Sequence, residues 1–438
     1  MKNKYFIYTY GCQMNLHESE KLAGILESEG YEKAENAEDA GVIAFVTCCI
    51  RENAEQKAYG HIGALKKYKA QNPDVIIAVG GCMTQQPGAA DKLHETFPFV
   101  DIIFGTHNLP DFSNMLAAKK GRKKAVIEIR DEDENDDLLP RSRNSFPNAW
   151  INVVYGCDNF CTYCIVPYVK GREHSRPLAE VVEEAKKAVE AGYKEITLLG
   201  QNVNSYGKEL PDGANFAELL RTISREVKGK YRLRFMSNHP KDLTEEMVAA
   251  MAECPQVCHS VHLPLQSGSN RVLKLMNRKY TREQYLEKVA LIKKYLPDCA
   301  ISTDVMVGFP TETEQDFEDT LDLMRKVNFS SAFMFVYSPR EGTPAAKMDE
   351  QIAPEVSKRR IIKMVDEQNA RTAEISKGYE GKAIEILCED YDEKKGMWLG
   401  RDPYGRMGYF KSEENEKGNF VNIKVESANG ISLYGEKV

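Results

Sequence analysis

Short apolar runs alternate with amphipathic segments along the first 130 residues of the chain. Helical periodicity is clearest over residues 16–29 and 52–68. The apolar runs are rich in Val, Ile and aromatic residues and cover residues 4–10, 42–47, 75–81 and 101–104. Runs of this length and composition predict strands. Strands that alternate with helices predict a parallel sheet covered by helices.

A second series with the same alternation occupies the middle of the chain. Its strand candidates are residues 151–155, 195–199, 232–236, 259–265, 300–307 and 332–337. Helical segments between them include residues 178–191, 215–227, 283–295 and 313–327. Six strands and six helices in this order predict a partial (β/α)6 barrel within an α/β protein.

The stretch between the two series, and the end of the chain, have different patterns. Residues 131–148 contain the acidic run DEDENDD, then PRSR and Pro147, a composition typical of a linker or mobile loop. After a predicted helix over residues 354–377, alternating runs predict a small all-β module. The predicted organisation is therefore an N-terminal domain, a linker, a central domain and a C-terminal module at residues 1–130, 131–148, 149–373 and 374–438.

Composition restricts the compartment and the partners. The 438 residues are 42% hydrophobic and 29% charged, no apolar run approaches the ~18 residues of a membrane span, and the start has no apolar core of a signal peptide. We therefore expect a cytoplasmic protein without a membrane partner. The odd number of cysteines, 11, indicates ligands and free thiols rather than disulfides. The net charge of −7 argues against a generally basic surface, so RNA contacts would need local patches.

Three cysteines form a CxxxCxxC motif after an apolar run. They are Cys157, Cys161 and Cys164, with Tyr163 directly before the last. Three thiolates on one loop can hold three corners of a cubane iron–sulfur cluster and leave one iron without a protein ligand. Zinc patterns more commonly pair CxxC with a second CxxC or with two histidines. The spacing therefore indicates an iron–sulfur site that is open to substrate; the alternative is three cysteines that merely fall close together.

Three more cysteines follow predicted strands of the first series. Cys12, Cys48 and Cys82 come closely after the first three apolar runs, and the carboxyl ends of parallel strands meet at one edge of a sheet. Neighbouring glycines would permit close approach to a bulky group. We therefore expect the three thiols to converge and hold a second cluster. Buried core cysteines are the alternative, and Cys49 could replace Cys48 as a ligand.

The CxxxCxxC motif, with its aromatic residue before the last cysteine, resembles the signature of the radical S-adenosylmethionine (SAM) enzymes. The motifs TYGCQMN at 9–15, CIRENA at 49–54 and VGGC at 79–82 resemble the N-terminal domain of the methylthiotransferases. YGCDNFCTYCIVP at 155–167 and LPLQSGSN at 263–270 resemble their radical core. The last module is similar to their RNA-holding TRAM domain. The resemblance implies a flavodoxin-like N-terminal sheet, a partial (β/α)6 radical SAM barrel and a TRAM domain.

Within the family, NHPKDL at 238–243 and YSPREGTPA at 337–345 resemble the bacterial members that act on isopentenylated adenosine beside the tRNA anticodon. The implied reaction replaces hydrogen at carbon 2 with a methylthio group, using one SAM as methyl donor and another as the source of a 5′-deoxyadenosyl radical. The implied cofactors are SAM and two 4Fe–4S clusters, the auxiliary one on Cys12, Cys48 and Cys82. The implied partners are the tRNA anticodon stem-loop, a reduced flavodoxin or ferredoxin-type electron donor, and a sulfur donor.

The resemblance also implies a set of SAM-contacting residues, most of them at strand ends. They are Tyr163, Gly200, Gln201, Asn202, Ser237, Gln266 and Asp304; hydrogen bonding within the loops and the barrel is the alternative role. No catalytic side chain beyond the cluster ligands is predicted, because a cofactor carries radical chemistry at an aromatic C–H bond. The rival functions are methylthiolation of threonylcarbamoyladenosine in tRNA or of a ribosomal-protein aspartate, and RNA binding by an iron–sulfur protein without turnover.

The chain departs from the family pattern at several positions. Val46 stands where asparagine is usual, and Lys170 where arginine is common. From Glu374 onward there are 13 Asp and Glu against 10 Lys and Arg. This acidic balance weakens a purely electrostatic account of tRNA binding, so shape and single residues such as Arg401 or Arg406 would have to contribute more.

Overall fold

The computed structural model describes residues 3–49, 52–122, 124–131, 139–211 and 213–438. Most of the acidic run at 131–137, and two residues of the motif at 49–54, lie outside the described residues. The chain divides into two compact units. Unit 1 comprises Met1–Asn144, Tyr155–Asp158 and Cys164–Glu173, and unit 2 comprises Ser145–Val154, Asn159–Tyr163 and His174–Val438.

Unit 1 contains a parallel sheet of strand order β2-β1-β3-β4-β5-β6. Its strands are β1 (Lys4–Thr9), β2 (Glu32–Lys33), β3 (Val42–Thr47), β4 (Ile76–Gly81), β5 (Ile102–Phe104) and β6 (Val126–Glu128). Its first helices are α1 (Gln13–Ser28), α2 (Glu52–Gln71), α3 (Ala89–Thr96) and α4 (Phe112–Lys120). The order of the first five strands is that of flavodoxin-like folds, so the predicted fold class is confirmed here. The patterns missed β2 and β6 because strands of two and three residues are too short to show an alternation.

Both faces of this sheet are covered, which explains the continuous apolar runs of its central strands. Val42 and Ala44 of β3 face a core that includes Leu22 of α1, whereas Ile43 and Phe45 face the core on the other side. Successive side chains of a strand point to opposite faces. A strand buried on both faces is therefore apolar at every position.

Unit 2 contains the predicted central barrel as two parallel sheets. From residue 148, the elements in chain order are β7 (Asn148–Asn152), β8 (Val154–Tyr155), α5 (Val166–Val169), β9 (His174–Ser175), α6 (Leu178–Glu190), β10 (Glu195–Leu199), α7 (Phe216–Glu226), β11 (Arg232–Phe235), α8 (Glu245–Glu253), β12 (Ser260–His262), α9 (Asn270–Leu275), α10 (Arg282–Tyr295), β13 (Ala300–Val307), α11 (Glu314–Val327), β14 (Ser331–Val336) and α12 (Pro354–Lys377). Of these elements, α5 and the second residue of β8 belong to unit 1. The sheets have the orders β11-β10-β7 and β12-β13-β14, and a single bridge joins Leu233 to Val257. A large apolar core lies between these strands and their helices. None of the described helices combines the length and the apolar character needed to cross a membrane.

The C-terminal module is a closed antiparallel and parallel barrel of order β15-β16-β17-β19-β18. Its strands are β15 (Ala383–Asp392), β16 (Met397–Arg401), β17 (Met407–Phe410), β18 (Phe420–Asn429) and β19 (Ser432–Lys437). Ile386, Phe410 and Ile423 fill its interior. The predicted all-β module is confirmed.

Buried charges attach this barrel to the rest of unit 2. Glu195, at the start of β10, is fully buried; its Oε2 lies 3.1 Å from Nη2 of Arg234 and its Oε1 3.5 Å from Nη2 of Arg401. Arg234 also donates to the backbone oxygen of Asp402 at 3.1 Å. Burial alone would raise the pKa of Glu195, but the two arginines outweigh burial and lower it. The carboxylate is therefore charged and links the barrel to β10 and β11.

We expect Glu195→Gln to lower the free energy of unfolding by about 3–5 kcal/mol near neutral pH, because buried Arg234 loses its carboxylate partner and Arg401 keeps only Glu389. A lowered pKa contributes stability above the ordinary value of 4.5, and this contribution is lost as the pH falls. The difference between variant and parent should therefore shrink below that pH. Urea unfolding midpoints across pH test this.

The control variant is Lys187→Met, at an exposed ion pair with Glu183. It should change the free energy of unfolding by less than about 0.5 kcal/mol. Equal midpoints for parent and Glu195→Gln near neutral pH would contradict the assignment.

Candidate iron–sulfur and cofactor sites

Four thiols gather at the carboxyl edge of the unit 1 sheet. Cys12 follows β1, Cys48 and Cys49 follow β3, and Cys82 follows β4. Strand β3 pairs in parallel register with both β1 and β4, so the three strand ends are neighbours. The structure thus brings together the three cysteines that the strand pattern singled out. Their role as ligands remains a prediction.

Two glycines allow the cysteine loops to pack closely. Gly11 has a φ of +109°, and a Cβ at this position would overlap the Cβ of Cys48. Gly81 has a φ of +105°, and its Cβ would lie 2.7 Å from the backbone oxygen of Thr47. Any larger residue would strain the backbone and push the loops apart.

Asn15 ties the first two cysteine loops together. Its buried side-chain nitrogen donates to the backbone oxygens of Tyr10, at 2.6 Å, and Thr47, at 3.0 Å. Val46, which stands where the family has asparagine, faces the apolar core on the α1 side of the sheet. The side-chain amide of Asn15 therefore orients these loops, whereas Val46 has no amide that could do so.

The thiols of this edge influence one another. Cys49 donates a hydrogen bond to Cys82, which raises the pKa of Cys49 well above its ordinary value. The same bond lowers the pKa of Cys82, and the positive charge of Lys170 lowers it further against the effect of burial. Burial raises the pKa of Cys12, and the charge of Cys82 adds to this effect. In the absence of metal, Cys82 therefore becomes a thiolate more readily than Cys12 or Cys49.

Lys170 is a buried cation beside these thiols. It is only 8% exposed and forms a short ion pair with Glu18 of α1. Burial would lower the pKa of Lys170, but the negative charges of Cys82 and Glu18 raise it well above its ordinary value. The amine is therefore protonated and supplies a positive charge near several sulfurs. The sequence marked Lys170 only as a replacement for arginine and gave no sign of its partner.

The CxxxCxxC loop contributes to both units. Cys157 and Cys164 belong to unit 1 and Cys161 to unit 2. In unit 1, the backbone nitrogen of Cys157 donates to the oxygen of Gly171 at 3.3 Å. A Cβ on Gly156, which has a φ of +68°, would overlap the backbone of Arg172. The chain before the loop therefore packs directly against the chain after it.

In unit 2, a buried arginine lies beside Cys161. Nη1 of Arg278 is 3.5 Å from the sulfur, and Nη2 donates to the backbone oxygen of Pro264 at 2.9 Å. Burial would lower the pKa of Arg278, but Tyr280, Tyr163 and Cys161 raise it. Arg278 thus places a permanent positive charge beside a sulfur that is predicted to bind iron. It lies in the run RVLKLMNR, where the sequence alone did not distinguish it from its neighbours.

Most of the predicted SAM-binding residues lie at or near the carboxyl ends of unit 2 strands. Residues 200–202 directly follow β10, and Ser237 comes two residues after β11. Gln266 bridges to β13, in which Asp304 lies 3.4 Å from Nε2 of His262. Ser237 and Gln266 both have a φ of +66°, which costs a non-glycine residue on the order of 1–3 kcal/mol and is typical of functional loops.

Tyr163 has a different environment. It packs against an apolar cluster that includes Val272, Met276 and Phe309, and its backbone neighbour Thr162 donates to the oxygen of Leu275 at 2.9 Å through its hydroxyl. This packing fixes the middle of the CxxxCxxC loop on unit 2. Its contact with SAM remains a prediction.

Comparison with known proteins decides the family. The Radical SAM superfamily model matches residues 151–324, the Uncharacterized protein family UPF0004 model residues 4–105 and the TRAM domain model residues 377–438. The tRNA-2-methylthio-N(6)-dimethylallyladenosine synthase of Clostridium botulinum strain Langeland is 50% identical over 99% of this chain and 97% of the relative. The enzyme of the same description from Acetivibrio thermocellus is 46% identical over 100% and 91%. The chain belongs to this synthase family. The predicted resemblance is confirmed, and the protein is a transferase.

A solved structure supports the fold. The radical SAM methyltransferase TsrM from Kitasatospora setae superposes with a TM-score of 0.57 at 16% identity, over 79% of this chain and 74% of that one. At this identity the likeness concerns the fold alone. Membership of the radical SAM superfamily implies a 4Fe–4S cluster and SAM as cofactors.

Buried polar atoms near the unit 2 strand ends fit a polar cofactor. Among the described residues, Oδ1 of Asn202, Oδ1 of Asn238 and Nε2 of His239 are buried without a hydrogen-bond partner. Each such atom costs about 1–3 kcal/mol unless a ligand or water satisfies it. Burial, Arg278 and Lys241 lower the pKa of His239 far below its ordinary value, so the ring is neutral. The amino, carboxylate and ribose groups of SAM are suitable partners for these atoms.

The thiol donors at the edge of the unit 1 sheet fit the ligands of an iron–sulfur cluster. Within the described ranges, no three His, Cys, Asp or Glu side chains are close enough to surround one metal ion. A cubane differs because each cysteine binds a different iron, so its sulfurs stand farther apart. Cys48 and Cys82 are buried and Cys12 is partly exposed at the same sheet edge, and thiolates are the usual ligands of such a group.

The two arginines proposed as RNA contacts are already engaged within the protein. Arg401 pairs with Glu389 at 2.7 Å and with Glu195, and Arg406 pairs with Asp402 at 3.3 Å. These pairs hold the C-terminal barrel and its turns. The contact of Arg401 or Arg406 with RNA remains a prediction.

We expect Cys48→Ala to lose the auxiliary cluster and Cys49→Ala to keep it, in a protein whose Cys157, Cys161 and Cys164 are already alanine. Cys48 lies against Gly11 in the first cysteine loop and keeps the Thr-Cys register of the family. Cys49 instead packs, together with Cys82, against Ile165 and Val169. Iron and sulfide content after anaerobic reconstitution measures this.

Cys258→Ala, at a buried thiol of unit 2, is the matched control and should retain iron. The opposite pattern, with iron lost only from Cys49→Ala, would transfer the ligand role to Cys49.

Proposed function

We propose that the protein converts the C2–H bond of N6-isopentenyladenosine, next to the tRNA anticodon, into C2–SCH3. One SAM donates the methyl group, and a second SAM provides a 5′-deoxyadenosyl radical. The observation that carries this proposal is the second set of thiols, Cys12, Cys48 and Cys82, in a chain that also has the CxxxCxxC loop. A radical SAM enzyme needs only that loop for radical formation, so a second thiol set supports sulfur insertion.

The cysteines divide into two predicted ligand sets. Cys157, Cys161 and Cys164 would hold the cluster that binds SAM, and Cys12, Cys48 and Cys82 the auxiliary one. When bound and reduced, the first cluster supplies the electron that cleaves SAM to the deoxyadenosyl radical. An aromatic C–H bond offers no acidic proton to a side-chain base, so the reaction requires no catalytic triad.

The polar side chains that follow the strands of unit 2 would bind and orient SAM. Asn202 is held by a 2.8 Å bond from its Nδ2 to Asp242, which leaves its buried oxygen for a donor group of SAM. Nδ2 of Asn238 likewise donates to the backbone oxygen of His262 at 2.8 Å. Because His239 is neutral, it can bond to SAM without repelling the sulfonium charge. These side chains are fixed before the cofactor arrives, which lowers the cost of ordering it.

The substrate base must leave its stack to reach such a site. Bases in single-stranded loops are already easily splayed out, and proteins recognise them there by stacking and edge contacts. The C-terminal barrel offers a suitable surface, since the rings of Tyr409 and Tyr434 stack at 5.0 Å and Nζ of Lys395 lies 3.7 Å from the Tyr409 ring centre. Tyr391 of β15 is also exposed, and it pairs with Trp398 of β16. Stacking and a few cations would then replace the broad positive patch that the barrel does not have.

Two further partners follow from the chemistry. Reductive cleavage of SAM consumes an electron, for which we expect a reduced flavodoxin or ferredoxin-type donor. The sulfur that remains in the product must be replaced after each turnover, so we also expect a sulfur donor. The side chains of the protein supply neither the electron nor the replacement sulfur.

Isotope transfer tests the proposal. The reconstituted protein is supplied with SAM, a chemical reductant and isopentenylated tRNA deuterated at carbon 2 of the adenine. We expect deuterium in the released 5′-deoxyadenosine, because the radical removes that hydrogen, together with a methylthio product detected by mass spectrometry of the nucleosides.

The same tRNA without the isopentenyl group, and a Cys157→Ala variant, are the controls. Deoxyadenosine without deuterium would contradict the proposal. Product formed only from threonylcarbamoylated tRNA or from a ribosomal protein would assign the chain to a sister activity, and absence of deoxyadenosine would favour a binding protein without turnover.

A further inference from the structure

Helix α1 is buried at every position from His17 to Leu26 although this stretch contains three charged residues. It begins directly after Cys12, and Glu18, Glu20 and Lys21 are only 8%, 1% and 0% exposed. Charges are costly to bury unless they are paired. The partners of these side chains therefore indicate what the helix does.

Lys21 holds the chain in front of the CxxxCxxC loop. Its Nζ donates to the hydroxyl of Tyr155 at 3.0 Å and lies 5.3 Å from the centre of the same ring. Tyr155 precedes Cys157 by two residues and belongs to unit 1, like α1. One buried lysine thus makes both a hydrogen bond and a cation–π contact to this tyrosine.

Glu18 holds the chain behind the loop. It lies three residues before Lys21, hence on the same face of α1, and its carboxylate pairs with Lys170. Lys170 follows Cys164 by six residues and directly follows α5. A further bond supports this segment, since the Thr106 hydroxyl donates to the backbone oxygen of Val169 at 2.8 Å.

We propose that α1 sets the spacing between the auxiliary thiols and the unit 1 cysteines of the CxxxCxxC loop, Cys157 and Cys164, and that Glu18, Lys21 and Lys170 are positioning residues. The helix starts at one auxiliary cysteine and contacts the chain on both sides of the other cysteine motif. This inference rests on the proposed function, in which a group held at one site must join a substrate activated at the other.

Stability alone does not account for these buried charges. Apolar side chains of similar size commonly stabilise a protein as well as or better than a buried ion pair. A charge-assisted hydrogen bond has a preferred length and angle. It therefore fixes the distance and orientation between two segments more strictly than apolar packing does. A displacement of about 1 Å between reacting groups can cost roughly 100-fold in rate.

The test uses the full-length, reconstituted protein with both clusters. The variants are Lys170→Met, Lys170→Arg, Tyr155→Phe and the double variant Glu18→Gln/Lys170→Met. The double variant removes both members of the ion pair, so that no buried carboxylate is left without its cation. Lys187→Met, at an exposed ion pair of α6, is the matched control. The readouts are iron per chain, the magnetic interaction between the two reduced clusters in electron paramagnetic resonance, and methylthio product per deoxyadenosine released.

We expect the double variant and Tyr155→Phe to keep their iron and release deoxyadenosine while product per deoxyadenosine falls by about 10- to 100-fold. The magnetic interaction should change in the same variants, and Lys170→Arg should restore both readouts. An unchanged magnetic interaction in the double variant, or loss of iron from it, would overturn the inference. The magnetic readout needs no tRNA. If the parent protein forms no methylthio product, the proposed function fails while this inference is still decided by the resonance spectra.

Discussion

The parallel register of β1, β3 and β4 is the constraint on which the auxiliary site depends. Because these strands run in the same direction and are neighbours, the residues after each of them share one edge. A shift by one residue in any of the strands would turn the following cysteine to the other face of the sheet. The backbone hydrogen bonds and the apolar cores on both faces therefore hold the thiols in place before any metal binds.

Buried charges have a second organising role in both units. In unit 1 the pair of Glu18 and Lys170 brings a cation to the sulfurs, and in unit 2 Arg278 does the same for Cys161. Several thiolates at one sheet edge repel one another. Nearby cations reduce this repulsion in a buried site, where water is not present to screen it. The strands thus bring the thiols of unit 1 together, and cations from distant parts of the sequence offset the negative charge of the sulfurs.

The sequence predicted the parts of this arrangement that depend on local patterns. Strands with alternating or continuous apolar residues were recognised, and so was the position of Cys12, Cys48 and Cys82 behind them. Partners separated by more than a hundred residues, such as Glu18 and Lys170, leave no local pattern, and charged residues on a helix ordinarily predict an exposed face. The pair of Arg401 with Glu195 is equally invisible in the sequence, because the two residues are separated by more than two hundred positions.

One short strand connects the C-terminal barrel with the predicted SAM-binding loops. Arg232 and Arg234 of β11 bind the barrel, and Ser237 and Asn238 lie in the loop that follows the carboxyl end of the same strand. The barrel therefore cannot shift relative to β11 without breaking these bonds. Loosening the barrel would also disturb the loop that follows the strand, so a module at the end of the chain contributes to the order of a loop about 150 residues earlier.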